Sequence, residues 1–310
     1  MEFNDKYPDG FFERLQFYLG EDKDKSHPDM NKYCINDLTN GINTHDTVYD
    51  VPLKYLLEIT NNKDKRFSFS RGDVITKDQQ HNWTISKNRC EENNSSILVR
   101  SFNINRHWGL YYNKPLDFPF ETKMNAVFWR GVTTGCSQHF SAKEWNPREA
   151  NRFTMIENWY EKRPDINVGF SFVHRSWLKS KYECYVKGRC RPEEFLKHKY
   201  ILSIEGNDKD SGLNWKLNSN SVVLMPRPRV TSWLMESKLE ANKHYVLLKD
   251  DFSDLGEKVD WCNNNQEKCK EIIRNANKYM SQFSNNYLEQ VLEIEVIKKY
   301  FVLKDKLKDN

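Results

Sequence analysis

The chain has 310 residues, enough for two domains of ordinary size that each bury a core of their own. Aromatic residues make up 14% of the sequence, a content that excludes a mainly disordered chain. The 48 basic and 44 acidic residues leave a formal charge of +4. That balance is too even to indicate nucleic-acid binding, which usually needs a concentrated basic patch.

Targeting signals and metal-binding cysteine patterns are both missing from the sequence. No segment approaches the roughly 20 apolar residues that span a bilayer, and residues 1–25 have neither the basic start nor the apolar core of a signal peptide. We therefore expect a cytoplasmic protein. The seven cysteines contain no CxxC pair, which predicts free thiols rather than zinc ligands. Cys184 and Cys190 are spaced to bridge a loop, although free thiols are the favoured prediction.

The predicted elements change character along the chain. Up to about residue 120, a helix is predicted at 51–59 and strands at 83–85 and 97–102. Strands and helices then alternate, which predicts a parallel sheet covered on both faces. The predicted strands are 126–129, 167–170, 200–204, 221–225 and 245–248. The predicted helices are one that begins at Asn146 with Pro147 and Glu149 completing its cap, then 211–218, 232–239, a long helix capped by Ser253 or Asp254 that continues through Met280, and 287–301.

Two polar loops follow predicted strands and are candidates for ligand binding. Arg130-Gly-Val-Thr-Thr-Gly135 comes directly after one strand, and Glu205-Gly-Asn-Asp-Lys-Asp-Ser211 lies between another strand and a helix. In an open parallel sheet, ligands bind beyond the carboxyl ends of the strands, and backbone N–H groups at a helix start attract phosphate oxygens. Taken alone, each loop is also typical of an ordinary strand-to-helix turn.

Motifs from three parts of the chain carry a resemblance to a known family. They are Ser70-Arg-Gly-Asp-Val74 with Ile85-Ser-Lys87, Phe128-Trp-Arg-Gly131 with Arg152, and the series Lys199-Tyr-Ile-Leu-Ser-Ile-Glu-Gly-Asn207, Ser221-Val-Val-Leu-Met-Pro226, Ser232-Trp-Leu-Met-Glu236, His244–Asp254 and Val259-Asp-Trp261. In order and spacing, these motifs resemble glycosyltransferase family 90. That family contains capsule-associated and lipopolysaccharide glycosyltransferases and the protein O-glucosyl- and O-xylosyltransferases.

The resemblance implies a GT-B fold, an α/β architecture in which two Rossmann-like domains face each other across a cleft. The implied boundaries are 1–122 for an acceptor-side domain, 123–284 for a donor domain and 285–310 for a helix that returns to the first domain. It also implies an inverting transfer from a nucleotide sugar, usually UDP-linked, to a glycan or glycoprotein acceptor, without metal or other cofactor. Glucose, xylose and galactose all stay open as the sugar, and no acceptor-binding residue is implied.

The resemblance assigns roles to particular residues. Asp73 matches the general base, which takes the proton of the acceptor hydroxyl. Arg130 and Arg152 match basic positions that would stabilise the charge developing on the leaving diphosphate. Glu205 or Glu236 would accept hydrogen bonds from the ribose hydroxyls. The other predicted donor-site residues are Gly131, Thr133, Thr134, Gly206, Asn207, Ser211, Asn214, Trp215 and Lys216.

Some features of the sequence leave alternatives open. Asn214 stands near the position where some family members carry a further arginine, and Lys216, Arg227 and Arg229 are candidates for supplying that charge. Asp208-Lys209-Asp210 is the nearest approach to a metal-binding Asp-x-Asp motif, and we predict it to be a loop. Asp73 on its own is typical of a turn aspartate. The competing functions are an inactive sugar-binding homologue and a nucleotide-sugar epimerase of the same architecture. The missing leader favours glycan assembly in a bacterium or a virus.

Overall fold

The computed structural model describes residues 7–38, 46–72, 81–90, 95–135 and 150–307. The chain forms two compact units. The first unit contains Met1–Ile104, Val230–Glu236 and Asn285–Asn310, and the second contains Asn105–Arg229 and Ser237–Ser284. The last helix thus belongs to the same unit as the N-terminal part of the chain.

The secondary structure alternates most regularly in the second half of the chain. The strands are β1 Ser68–Phe69, β2 Thr84–Ser86, β3 Asn88–Cys90, β4 Ile97–Leu98, β5 Met124–Val132, β6 Ile166–Phe172, β7 His198–Leu202, β8 Val222–Met225, β9 Val230–Ser232 and β10 Val246–Leu247. The helices are α1 Phe11–Leu19, α2 Thr47–Ile59, α3 Ile104–Tyr112, α4 Arg152–Trp159, α5 Lys179–Tyr182, α6 Pro192–Leu196, α7 Leu213–Leu217, α8 Leu255–Asn264, α9 Gln266–Ser281 and α10 Asn286–Lys306.

The second unit is built on a five-stranded sheet in the order β10-β8-β7-β5-β6, and all neighbouring strands are parallel. One face packs against α4, α8 and α9 through an apolar cluster that includes Trp129. The opposite face packs against α6 and α7 through a smaller cluster that includes Phe128. The predicted α/β class and the parallel sheet covered on both faces are therefore confirmed.

The strand order places a break in the winding of this sheet between β5 and β7. β6 follows β5 in the chain and lies on one side of it, whereas β7, β8 and β10 continue on the other side. In doubly wound sheets of this order, the crevice at the carboxyl ends of the two strands that flank the break is where ligands bind. The loops that follow β5 and β7 are therefore the place to look for a site.

The helix predicted over 232–239 is wrong. β9 ends at the first residue of this range and pairs antiparallel with β3, so that Ser232 lies opposite Asn88. The Glu236 carboxylate accepts hydrogen bonds from the backbone N and the Oγ of Ser232. Strand pairing and this local contact occupy the groups that would begin a helix, and only a short 3₁₀ turn at Glu236–Lys238 follows.

The boundaries of two other predicted helices also differ. The long helix predicted after Asp254 is divided into two helices. Asn265, with a non-helical φ of −130°, separates α8 from α9. α4 is capped by Asn151, whose Oδ1 accepts hydrogen bonds from the backbone N atoms of Phe153 and Thr154. The predicted cap at Asn146 and Glu149 lies outside the described residues.

The first unit contains a parallel three-stranded sheet in the order β1-β2-β4 and the antiparallel pair β3–β9. The predicted helix at 51–59 is confirmed by α2, although it begins at Thr47. The strands predicted at 83–85 and 97–102 correspond to β2, which is displaced by one residue, and to β4, which is shorter. The helix predicted at 287–301 is confirmed by α10, which extends to Lys306.

A buried charged cluster joins α1 and α10 with the segment after β9. Both oxygens of the Glu289 carboxylate accept hydrogen bonds from Arg14, and one also accepts from Trp233 Nε1. The Tyr18 ring stacks on Trp233 at 3.7 Å, and its hydroxyl donates to the Trp233 carbonyl oxygen. The Glu289 side chain is fully buried, so its negative charge depends on these donors.

Glu289→Gln is expected to lower the free energy of unfolding by about 3–5 kcal/mol, because Arg14 would be left as a buried charge without its carboxylate. Glu295→Gln is the matched control on the same helix, since Glu295 forms a more exposed pair with Lys298. We expect the control to cost less than about 1 kcal/mol. Urea denaturation followed by tryptophan fluorescence measures both; equal effects would show that the cluster contributes no special stability.

Candidate functional site

The loops after β5 and β7 meet at the break in the winding of the sheet. The backbone N of Gly135 donates a hydrogen bond to Asn207 Oδ1 at 3.0 Å. A Cβ atom on Gly135 would lie 3.0 Å from the Gly206 carbonyl oxygen, and one on Gly206 would lie 2.6 Å from Thr134 Oγ1. Gly135 also has a φ of +93°, a conformation that other residues rarely adopt. Only glycines at these two positions allow the loops to approach so closely.

Arg152 connects the two loops. It is the first residue of α4 and is positioned by the Asn151 cap. Its guanidinium donates hydrogen bonds to the Val132 carbonyl oxygen at 3.0 Å and Thr134 Oγ1 at 2.7 Å, both at the end of β5. It also donates to the Ile204 carbonyl oxygen after β7 at 3.2 Å. Arg152 thus binds the carboxyl ends of both strands that flank the break.

The positive charge of Arg152 is not neutralised by a directly bonded carboxylate. Each of its hydrogen-bond acceptors is an uncharged oxygen within the part of the chain that the structure describes. Burial lowers the pKa of Arg152, while the nearby negative charge of Asp210 raises it. A guanidinium stays protonated under such shifts. An anion that reached this crevice would therefore find a fixed positive charge in a partly dry environment.

A buried ion pair between Asp210 and Lys216 stabilises the loop after β7. Asp210 Oδ2 accepts hydrogen bonds from Lys216 Nζ and from Ser203 Oγ, and Oδ1 accepts from the Gly212 backbone N. Burial raises the pKa of Asp210, but the charge and hydrogen bond of Lys216, together with the charge of Arg152 and the Gly212 N–H, leave the pKa below its ordinary value. Asp208-Lys209-Asp210 is a loop, as predicted, and its last carboxylate is committed to Lys216.

Two predicted residues, Asn214 and Trp215, precede Lys216 on α7. Asn214 is fully buried, and its Oδ1 accepts a hydrogen bond from Lys209 Nζ at 3.1 Å. Its Nδ2 has no hydrogen-bond partner among the described residues. Trp215 packs in the apolar cluster that also contains Phe195. Ser211 precedes the helix, which begins at Leu213.

Arg130 lies on the opposite side of β5 from Arg152. Trp129 faces the apolar cluster that packs against α4, α8 and α9. The guanidinium carbon of Arg152 lies 5.8 Å from the Trp129 ring centroid. The next residue, Arg130, points the other way and lies 4.5 Å from the ring centroid of Phe128. It bonds the carbonyl oxygens of Trp129 and Asn167 and the Asn167 Oδ1 atom. The structure therefore does not bring the two predicted arginines together.

Several other predicted residues already have partners in the structure. Thr133 Oγ1 accepts a hydrogen bond from the His174 backbone N, and Glu205 accepts from the backbone N and Nε of Arg229. Gly131 is half-buried beside the Trp129 ring. Glu236 is buried in the first unit, whereas Glu205 belongs to the second.

The predicted base, Asp73, lies outside the described residues. The described residue Arg71, which precedes it by two positions, makes a bidentate ion pair with Asp50 on α2. The Asp50 side chain is buried, and its two oxygens accept from Arg71 Nε at 2.6 Å and Nη2 at 2.9 Å. This ion pair joins the Arg71 side chain to α2.

Three residues that the sequence did not single out help to build the site. They are Asn151, which caps α4, Ser203, which bonds Asp210, and Asn167, which holds Arg130. Their signals were present but weak. Asn151 directly precedes Arg152, and Ser203 is a polar residue within the predicted strand at 200–204. The contact of Asn167 with Arg130 depends on the pairing of β5 with β6, which no local pattern gives.

Fold and loops together define a doubly wound α/β protein in which two loops meet around the buried cation of Arg152 at the break in the sheet. Residues 114–303 match the model of Glycosyl transferase family 90. The chain belongs to that family, and the protein is a glycosyltransferase, which acts on a sugar donor and an acceptor.

Relatives come from a bacterium and from viruses. The chain is 33% identical to O-glucosyltransferase LpsA of Dichelobacter nodosus over 240 residues, which cover 77% of this chain and 68% of that protein. It is 28% identical over 218 residues to uncharacterized protein 179R of Invertebrate iridescent virus 6, covering 62% of this chain and 18% of the viral protein. Uncharacterized protein 027R of Frog virus 3 is 30% identical over 138 residues, or 42% of this chain and 13% of that protein.

The length and hydropathy of the helices bear on any membrane attachment. Among the described residues, no helix is both long and apolar enough to cross a bilayer.

Proposed function

We propose that the protein is an inverting glycosyltransferase that moves a hexose or pentose from a UDP-sugar to a hydroxyl of a glycan or protein acceptor. Asp73 acts as the general base, and the donor diphosphate lies in the crevice at Arg152. The observation that carries the proposal is the position of Arg152. In a chain of this family, it bonds the ends of both strands at the break in the sheet, together with Thr134 and beside Gly206.

The chemistry fits these residues. During inversion, the acceptor oxygen attacks the anomeric carbon while the bond from that carbon to the diphosphate oxygen breaks. The base removes the proton from the attacking hydroxyl, and the departing diphosphate gains negative charge. Arg152 would stabilise that charge, and the close approach of Gly135 and Gly206 would let backbone groups reach the phosphate oxygens.

The identity of the donor sugar is the first detail of the proposal to test. The bacterial relative is an O-glucosyltransferase, which makes UDP-glucose the first candidate, with UDP-xylose and UDP-galactose as alternatives. Thermal stabilisation by UDP and by each UDP-sugar, together with analysis of hydrolysis products, tests the proposal. We expect UDP to raise Tm and one sugar to be released from its nucleotide. Isomerised UDP-sugar without release would indicate an epimerase instead, and binding without any reaction would indicate an inactive homologue.

Activity is expected to survive chelation, because the proposed diphosphate site uses Arg152 where other glycosyltransferases would use a divalent cation. Asp210, the last carboxylate of Asp208-Lys209-Asp210, is bonded to Lys216 and Ser203. The rate of UDP-sugar turnover should be the same with and without EDTA. A rate lost on chelation and restored by manganese or magnesium would contradict the proposed mechanism.

A further inference from the structure

A cavity of about 530 Å³ opens on the side of β5 that faces away from Arg152. Its volume falls within the range of small-molecule sites in proteins. It lies entirely within the second unit. Four cations and two carboxylates contribute to its lining: Arg130, Lys187, Arg191, Lys197, Glu193 and Glu194. The lining therefore carries a net positive charge and favours an anionic ligand.

Arg130 and Arg191 are the two cations of this cavity to which no carboxylate of the described residues is bonded, and Arg130 is the half-buried one of the two. Lys197 pairs with Glu194 at 2.6 Å, and Lys187 lies 3.4 Å from Glu161. Arg130 instead bonds uncharged oxygens, and no carboxylate accepts a hydrogen bond from it among the described residues. Its side chain is half-buried against the ring of Phe128. A cation held in this way is less hydrated than a surface lysine.

The hydrogen bonds of Arg130 leave one edge of its guanidinium free. The group has five N–H donors. Nη1 uses two of them on the Trp129 and Asn167 carbonyl oxygens, and Nη2 uses one on Asn167 Oδ1. Nε–H and the second Nη2–H have no acceptor in the described part of the chain. In a guanidinium, Nε–H and Nη2 share one edge of the plane, and two N–H groups on such an edge match a pair of oxygens on one phosphate or carboxylate.

This edge is also fixed in place. Three hydrogen bonds and the Phe128 ring hold the guanidinium, so a ligand would not have to order it on binding. An excess of cations around the cavity favours a doubly charged phosphate over a singly charged carboxylate.

We propose that this cavity is a second anion site, separate from the donor crevice, which binds a phosphate monoester of about the size of a sugar phosphate through the free edge of Arg130. The assignment depends on the geometry of the second unit and not on the donor proposed above. It differs from the expectation that Arg130 contacts the donor diphosphate, and a binding experiment separates the two.

A cysteine in the lining gives a direct readout of occupancy. Cys190 lines the cavity, whereas Cys184 is exposed nearby in the sequence. Burial raises the pKa of the Cys190 thiol, and the charge of Arg130 opposes that rise. Iodoacetamide labelling at pH 8.5, followed by peptide mass spectrometry, measures both thiols in one sample. Cys184 serves as the internal control for effects of the ligand on the reagent.

The probes are inorganic phosphate and glucose 1-phosphate, each added to the full chain. At about ten times the Kd of the probe, labelling of Cys190 should slow roughly tenfold, because only the free protein reacts, while labelling of Cys184 is unchanged. At equal concentrations of the two probes, stronger protection by glucose 1-phosphate than by inorganic phosphate would support an ester ligand. Equal protection at equal concentration would show that the sugar adds nothing to binding and would overturn the ester assignment.

Two variants decide where the anion binds. Arg130→Met should abolish the protection, and Arg152→Ala should retain it; the ratio of rates with and without probe corrects for the altered thiol pKa. Each variant is first checked for an unchanged circular dichroism spectrum, and Arg130→Lys should give partial protection. Protection that survives in Arg130→Met would overturn the proposal. So would loss of UDP binding in Arg130→Met with UDP binding kept in Arg152→Ala, because Arg130 would then belong to the donor site.

Discussion

Replacing Asp73 by Asn should lower kcat for sugar transfer by about 10²- to 10⁴-fold, with little change in the Kd for UDP. The amide keeps the shape of the carboxylate but cannot accept the proton of the acceptor hydroxyl. Initial rates of UDP release measure kcat, and isothermal titration with UDP measures binding. The two readouts together distinguish a lost base from a lost binding site.

Asp64→Asn is the matched control, because Asp64 is an exposed aspartate of the same unit. It should leave both kcat and Kd unchanged. An Asp73→Asn variant that turns over at a near-normal rate would assign proton removal to a different residue. A variant that loses UDP binding as well as turnover, with a lowered Tm, would instead have lost its fold.

The strands of the second unit could be predicted because they are buried on both faces. Such strands are continuous apolar runs that local sequence reveals without knowledge of their neighbours. The strand order could not be predicted in this way. The position of β6 on the far side of β5 depends on pairing between segments about 40 residues apart, such as Val127 with Ile166.

Non-local pairing also explains the main error in the predicted elements. Ser232 to Leu239 has an apolar spacing compatible with a helix, yet β9 pairs with β3 from a distant part of the chain. Trp233 then stacks on Tyr18 and donates to Glu289, two residues on the first and last helices. Contacts across the whole length of the chain outweigh the local preference here.

The same distinction applies to the candidate site. The loops after β5 and β7 were predicted because polar residues follow apolar strands, and the structure joins them through Arg152. Arg130 was predicted to act beside Arg152 because both match the family signature. Yet side chains alternate along a strand, and Arg130 therefore points to the face opposite Trp129.

Arg152→Ala is expected to lower kcat for UDP-sugar turnover by about 10²- to 10³-fold, and to weaken substrate binding much less. The charge on the diphosphate grows as the glycosidic bond breaks, so the guanidinium interacts most strongly with the transition state. Arg152→Lys should recover only part of the rate. The planar guanidinium donates hydrogen bonds to the ends of β5 and β7 simultaneously, and an ammonium cannot do so.

Stability has to be separated from catalysis in this experiment. Arg152 is buried and donates to two backbone carbonyl oxygens, and leaving such acceptors unpaired costs about 1–3 kcal/mol. Rates are therefore compared well below the Tm of each variant, with kcat and KM determined separately. Arg274→Ala is the control, since Arg274 is exposed on α9, and it should change neither constant.

One outcome would relocate the donor site within the same family. Arg227 lies on the loop after β8, beside Arg229, which bonds Glu205. If Arg152→Ala turned over normally and Arg227→Ala did not, the diphosphate would lie along that loop. Arg152 would then serve only to join the ends of β5 and β7, because its hydrogen bonds to Val132, Thr134 and Ile204 hold those ends together whether or not a ligand is present.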